Sequence, residues 1–277
     1  MKEIRAYTYL CVFFVGLLFL SGSTDGMISR GLYYLAFVLP IALGLRLSPS
    51  FKRQREEMAG AKEESLRLFS IDGRTVAFTL PLILPTVLLT ILVSSLWGGL
   101  LTLAGLTPPE ITPTSLLRDI GESALIPSVL EEIMFRALPM LLIFPCSKKR
   151  CLVISSLYFA LAHASVFSFP YAFAAGLSLA YAAICTGSII PCIIIHFVNN
   201  LFSVLFMHYS DSSVFCIWAI RLLGLGALVS AIFIARRRRE YIGRLKQMLS
   251  DRGREELPSS FYLFVILTTV ISLSLIL

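Results

Sequence analysis

TVAFTLPLILPTVLLTILVSSLWGGLLTL, residues 75–103, runs for 29 residues without a charged side chain. An α-helix rises 1.5 Å per residue, so about 20 apolar residues cross the hydrocarbon core of a bilayer. The run therefore reads as a spanning helix, with Pro81 and Pro85 set to kink it. Working outward, eight more apolar stretches fit the same description: 6–21, 31–45, 125–144, 151–167, 171–184, 189–208, 212–235 and 260–277. The stretches at 31–45 and 171–184 are short for a crossing. The expected fold class is all-α, a polytopic transmembrane helical bundle of eight or nine spans.

The 277-residue composition agrees. Hydrophobic residues make up 57% and charged residues 15%, against roughly 25% charged in ordinary globular chains. That excludes a disordered chain and a disulfide-stapled secreted domain. It also makes a pI near 9.2 the signature of a membrane protein's basic face rather than of nucleic-acid binding; no nucleic-acid partner is expected. With the N-terminus in the cytoplasm and the spans threaded alternately, 20 of the 24 basic residues fall in inner segments, against 10 of the 17 acidic ones. The outer loops hold Arg30 and Arg118 against Asp25, Glu110, Asp119, Glu122 and Asp211. Nine spans thread in this way without breaking the positive-inside rule. The expected location is the plasma membrane with a cytoplasmic N-terminus, and the lipid bilayer is the first partner.

Three regions follow: N-terminal helices over 1–114 with a cytoplasmic loop at 46–74, a core at 115–210, and C-terminal helices over 211–277 with a basic segment at 236–257. The loop over 51–74 mixes charges as a solvated amphipathic helix does, a connector able to lie on anionic headgroups. A cleavable signal peptide is the rival reading of residues 1–24. The six cysteines, Cys11, Cys146, Cys151, Cys185, Cys192 and Cys216, form no CxxC pair and read as packing thiols.

The ionisable groups left inside the spans are Glu131, Glu132, Arg136, His163, His196, His208 and Arg221. Each Glu or Arg facing lipid at the bilayer centre costs about 2.5–3.5 kcal/mol on the insertion scale. A partner or a wet interior is therefore required. Glu132 and Arg136 are four apart and meet on one helix face, while Glu131 points about 100° away, on the 3.6-residue turn of a helix. Phe159 and His163 share a face at the same spacing, and so do His196 and Asn200. Three helices thus each offer polar groups to one interior. Counting along the helices, Glu131 and His163 lie roughly 20 Å above the inner face, and His196 about 10 Å if its helix starts at Ile189 or about 16 Å if it starts at Cys185. His208 at an outer helix end is satisfied by solvent, and Arg221 is left outside the site.

A carboxylate and a histidine held together can activate water as a general base. A second histidine with an amide can stabilise an oxyanion. Two histidines and a glutamate also match the ligand set of a catalytic zinc, here Glu131, His163 and His196. Both chemistries use the same residues.

These residues, in this order, resemble the CPBP family of intramembrane proteases, which embraces type II CAAX prenyl endopeptidases and the Abi proteins of bacteriocin processing or self-immunity. Its signatures EExxxR, FxxxH and HxxxN match Glu131–Arg136, Phe159 to His163, and His196 to Asn200, within roughly residues 115–210. The resemblance implies that Glu131 with His163 activates the water, that His196 with Asn200 stabilises the oxyanion, and that Glu132 and Arg136 hold the first helix in place. It favours a metal-independent glutamate mechanism with no required cofactor, zinc being the alternative. Ala137 departs from the Gly common after the Arg. The implied function is an endopeptidase acting on a membrane-associated protein or peptide, a CAAX-type prenylated one among the options. A non-catalytic immunity or binding protein on the same fold is the second reading, and a proton-relay transporter the third. No HExxH or GxGD motif is present, and Gly176-Leu177-Ser178-Leu179 lacks the second glycine of a rhomboid nucleophile.

Overall fold

All regular structure is helical among the residues that the computed structural model describes, which are 2–24, 26–47, 68–107, 112–143, 147–250 and 258–274. Most of the loop at 51–74, Cys146, and residues 251–257 and 275–277 lie outside them. The chain opens with α1 (Lys2–Gly22) and α2 (Gly26–Leu47). Their turn is made by Gly26 at φ 65° and by Ser21 Oγ, which donates to the Ser29 carbonyl at 2.8 Å. α1 belongs to the core: Tyr7, Cys11 and Phe14 are fully or nearly fully buried, and Phe14 meets Phe37 and Phe135 edge-on.

The opening stretch becomes α3 (Gly73–Thr79) and α4 (Ile83–Leu103). Asp72 caps α3 by accepting from Thr75 N at 2.7 Å. Pro81 and Pro85 each remove a backbone donor, and the helix tightens between them into a 3₁₀ turn at Leu80–Leu82 rather than breaking.

Residues 116–142 form one run in five pieces. The α-helical pieces are α5 (Leu116–Asp119), α6 (Ile126–Glu132) and α7 (Leu138–Leu142). Between them lie two π-helical turns, Ile120–Leu125 and Ile133–Ala137. A π turn holds an extra residue and puts the local carbonyls out of register. Around the second turn, other helices supply the donors: Tyr7 Oη donates to the Met134 carbonyl at 3.3 Å and Ser155 Oγ to the Phe135 carbonyl. Ser155→Ala leaves a buried acceptor short of a donor, at a cost of about 1–3 kcal/mol. The expected result is a lower unfolding midpoint in detergent, and an unchanged midpoint would show that the turn needs no such donor.

α8 (Lys148–Ala162) starts at Ser147, which accepts from Arg150 N at 3.3 Å. It ends five residues before the predicted boundary at 167, because Ala164 takes the left-handed conformation at φ 44°, from which a helix cannot continue. Trp97 Nε1 then holds the loop by donating to the Val166 carbonyl at 2.7 Å. α9 (Phe169–Thr186) begins with a proline in its first turn and ends at Gly187, φ 69°. A Cβ on Gly176 would meet the Ser156 backbone at 3.0 Å, so this glycine sets the close approach of α9 to α8. α10 (Ile190–Tyr209), α11 (Ser213–Arg236), α12 (Arg238–Ser250) and α13 (Ser259–Ser274) complete the chain.

Six helical stretches are long and apolar enough to cross a membrane: α1, α2, α3 with α4, α9, α10 and α11. Three of the nine predicted spans fall short of that measure. The run at 116–142 is interrupted by charge, and α8 and α13 have 15 and 16 residues. All are nonetheless helices of one all-α bundle.

The bundle has two unlike ends. At the basic end, Ser188 Oγ donates to the Leu68 carbonyl at 3.3 Å and Ile189 N donates to it at 2.8 Å. Tyr241 Oη reaches the Phe78 carbonyl and Arg244 Nη1 the Cys185 carbonyl, both at 2.8 Å. These bonds dock the basic helix α12 across the ends of α3 and α9. The opposite end gathers the α4 terminus, the start of α5, the α8–α9 loop and the α10–α11 turn.

Candidate active site

Glu132 and Arg136 are buried side by side, 0% and 1% exposed. Arg136 Nε lies 3.3 Å from Glu132 Oε2, the pair that the i,i+4 spacing predicts. The contact is an ion pair without good hydrogen-bond alignment, and the guanidinium nitrogens have no hydrogen-bond partner. Its compensation is aromatic. The guanidinium carbon sits 4.4 Å from the centre of the Phe159 ring, a desolvated cation–π contact worth about 2 kcal/mol. The other carboxylate oxygen, Glu132 Oε1, accepts from His196 Nδ1 at 2.8 Å.

Phe159 is the hub. One face takes Arg136, and the ring stands edge-on to His163, His196 and Phe135 at 4.9, 5.5 and 5.7 Å. The aromatic of FxxxH is therefore required on geometric grounds: it packs both histidines and the arginine of the other two motifs.

His163 closes α8. Its Nδ1 lies 2.8 Å from the Phe159 carbonyl, which can only accept, so Nδ1 carries the proton and Nε2 of the neutral ring presents a lone pair. Glu131, with a side chain 17% exposed, has His196 Nε2 at 3.8 Å from its Oε2. That brings the two side chains together on the cavity, at a spacing too long for a hydrogen bond. The structure thus adds a partner for Glu131 that the helix spacing does not show.

Glu131, Phe159, His163, His196 and Asn200 all line one cavity of about 840 Å³. Glu132 and Arg136 stand behind its wall. Asn200 Oδ1 receives Asn199 Nδ2 at 3.5 Å, and Thr90 Oγ1 lies 2.6 Å from Asn199 Oδ1. The Asn200 Nδ2 has no hydrogen-bond partner among the described residues. Thr90 and Asn199 were not distinguishable in the sequence: a Thr in a spanning helix ordinarily bonds its own backbone, as Thr90 also does to the Val87 carbonyl.

The depth count for His196 needs correcting. Ser188 and Ile189 are fully buried, so α10 starts inside the bundle and not at its surface. His196 therefore reaches the level of the two glutamates. His208 also needs correcting, since it is paired rather than solvated. Its Nε2 lies 2.8 Å from Asp119 Oδ2 at the far end of the same cavity, which Asp119 lines. Arg221 stacks on Trp218 of its own helix, 5.5 Å from the ring centre, away from the site.

Hydrogen bonds from Thr114, then from His208, hold Asp119 below the ordinary carboxylate value of 3.8. A depressed carboxylate stabilises the fold above its ordinary pKa, and that contribution disappears as pH falls through the folded value. Acidification below about pH 4 is expected to release the α5–α10 tie. Faster amide exchange at the C-terminal end of α10, absent in Asp119→Asn, would report it.

Residues 113–202 match the family model described as type II CAAX prenyl endopeptidase Rce1-like. The likeness to CAAX-type membrane proteases is carried by this segment of the chain. Neither a curated protein nor a solved structure matches the chain. A family of membrane-embedded proteases fits the polar cavity inside an apolar helical bundle, and the chain is an integral membrane protein. The matched segment contains all three motifs of the CPBP site, from Glu131 to Asn200.

Among the described residues no three His, Cys, Asp or Glu side chains form a group able to hold a metal ion. His163 and His196 each commit Nδ1 to a neighbour and leave Nε2 without a hydrogen bond among the described residues, an arrangement that metal-binding histidines also take.

Proposed function

We propose that this protein is an intramembrane endopeptidase that hydrolyses a peptide bond of a membrane-associated protein or peptide with a water activated by Glu131 and His163. The observation that carries the reading is the convergence of Glu131, His163, His196 and Asn200 on one cavity whose supporting pair, Glu132 and Arg136, is fully withdrawn behind it.

In this mechanism the Glu131 carboxylate accepts a proton from water while His163 Nε2 orients that water. The hydroxide oxygen bonds to the scissile carbonyl carbon. His196, carrying a proton on both ring nitrogens as this step requires, and the Asn200 amide donate to the oxyanion that forms. Glu131 then returns the proton to the leaving amine as the C–N bond breaks. Glu132 holds the His196 ring through Nδ1, and Arg136 holds Glu132. These steps use no resident metal: Glu131 supplies the base, His163 orients the water, and His196 and Asn200 supply the donors. Activity that survives exhaustive chelation, in protein free of bound zinc by elemental analysis, is the expected result. Loss on chelation with recovery on zinc would overturn this mechanism.

The catalytic core is the segment 115–210, carried in a plasma membrane with the N-terminus cytoplasmic. Comparing membrane-protein termini between cells with wild-type protein and cells with Glu131→Gln tests the function. New termini that vanish in the variant are expected. Identical termini, with both proteins present in the membrane, would favour the second reading, a non-catalytic immunity or binding protein whose shape the isosteric Gln preserves.

A further inference from the structure

The cavity occupies only one half of the bundle. On α4 its wall runs from Thr86 to Ser95, on α9 it ends at Leu179, and on α10 it begins at Ile195 and reaches Met207. From 112–131 it takes Thr112, Asp119, Ser123, Pro127 and Glu131. Among the described residues, no lining residue comes from 68–85, 138–150 or 180–194. Those segments make the other end of the bundle, where Ser188 and Ile189 bond to Leu68 and α12 docks on Phe78 and Cys185.

The two ends differ sharply in charge. The closed end carries Arg5, Arg46, Arg74, Lys148, Lys149, Arg150 and the four arginines at 236–239. The segments at the open end carry Arg30 and Arg118, outnumbered by acids. Short segments rich in Lys and Arg stay in the cytoplasm. We infer that the cavity opens to the non-cytoplasmic face, and that the substrate is the outward-facing segment of an exported or membrane-bound protein. This rests on the hydrolase reading above for its chemistry and on charge and geometry for its direction.

The wall supports the same substrate class. It offers the exposed hydroxyls of Ser94, Ser95 and Ser123, able to pair with the backbone of an extended strand. Among the described residues it includes no Lys or Arg to meet a free C-terminal carboxylate. An internal bond of a peptide strand fits better than a bond beside a charged terminus. A lipid-modified cytoplasmic C-terminus would have to enter from the wrong side.

Accessibility labelling decides the direction. Ser123→Cys, exposed on the cavity wall, and Asp211→Cys, in the α10–α11 turn, are compared with Leu245→Cys on α12 in intact bacterial spheroplasts. The probe is a membrane-impermeant maleimide, and the native thiols of the wild-type chain provide the blank. Ser123→Cys and Asp211→Cys are expected to label at least about tenfold above the blank, and Leu245→Cys only after permeabilisation. The reverse pattern would overturn the inference. If Ser123→Cys fails to accumulate, Asp211→Cys reports the same face. Termini lost in Glu131→Gln are expected to map to outward-facing segments; cytoplasmic ones would also overturn it. If no terminus changes, the hydrolase reading fails and the substrate class with it, while the labelling still decides which face the cavity opens to.

Discussion

Glu131→Gln is expected to lower the rate of peptide hydrolysis by about 10²–10⁴-fold, the range of a lost general acid–base, with normal accumulation in the membrane. Gln keeps the shape of the side chain and loses the proton acceptor. The fold has little at stake there, because Glu131 faces the cavity and its contact, His196 Nε2, is 3.8 Å away. A single-turnover assay on a peptide found by terminus mapping would measure it. Hydrolysis within about threefold of wild type would remove Glu131 from the chemistry, since a shift that small, under 1 kcal/mol, is below what a base contributes. His163→Ala tests the partner: its loss exposes no buried charge, so a fall in rate without a fall in accumulation separates catalysis from folding.

Arg136→Met is expected to do the opposite, destabilising the fold first. Removing one member of a buried ion pair leaves the other uncompensated, at about 3–5 kcal/mol. Here Glu132 would keep only His196, and Phe159 would lose the cation on its face. The measurement is the yield of folded protein after detergent extraction, with the unfolding midpoint. The double variant Glu132→Met with Arg136→Met replaces the pair by apolar groups, which is often neutral or stabilising, and should recover much of the yield. It should not recover activity, because His196 Nδ1 loses the carboxylate that holds the ring. Recovery of both would show that the pair is structural only. Failure of the double variant to accumulate would show that packing at these two positions admits no apolar pair.

Much of the helical bundle was legible because a bilayer makes charge scarce. With so few charges in the apolar stretches, Glu131, Glu132 and Arg136 could be read as a site before any geometry was known. The i,i+4 spacings of Glu132 with Arg136 and of Phe159 with His163 hold in the structure, since a helix imposes them. What the spacing could not show is contact between helices. His196 meeting both glutamates depends on α10 starting below the surface, under Leu68 and Ser70, and a count from the helix end misses it. The end of α8 at Ala162 escaped for a similar reason. Nothing apolar stops there; a left-handed Ala164 does, and the loop after it is held by Trp97 from another helix.

His208 illustrates the limit most plainly. At a helix end a histidine can be satisfied by water, so composition and position offer no reason to look further. Its partner Asp119 is 89 residues away in sequence and 2.8 Å away in space. Periodicity and charge scarcity, properties of single helices in lipid, determined the all-α membrane fold, the three motifs and the residues within them. The second partner of Glu131, the role of Phe159 as a shared packing surface, the two borrowed hydroxyl donors at the π turn and the end at which the cavity opens were decided only by the tertiary structure. Each is a contact or a void between helices, and no helix encodes its neighbour's depth or rotation.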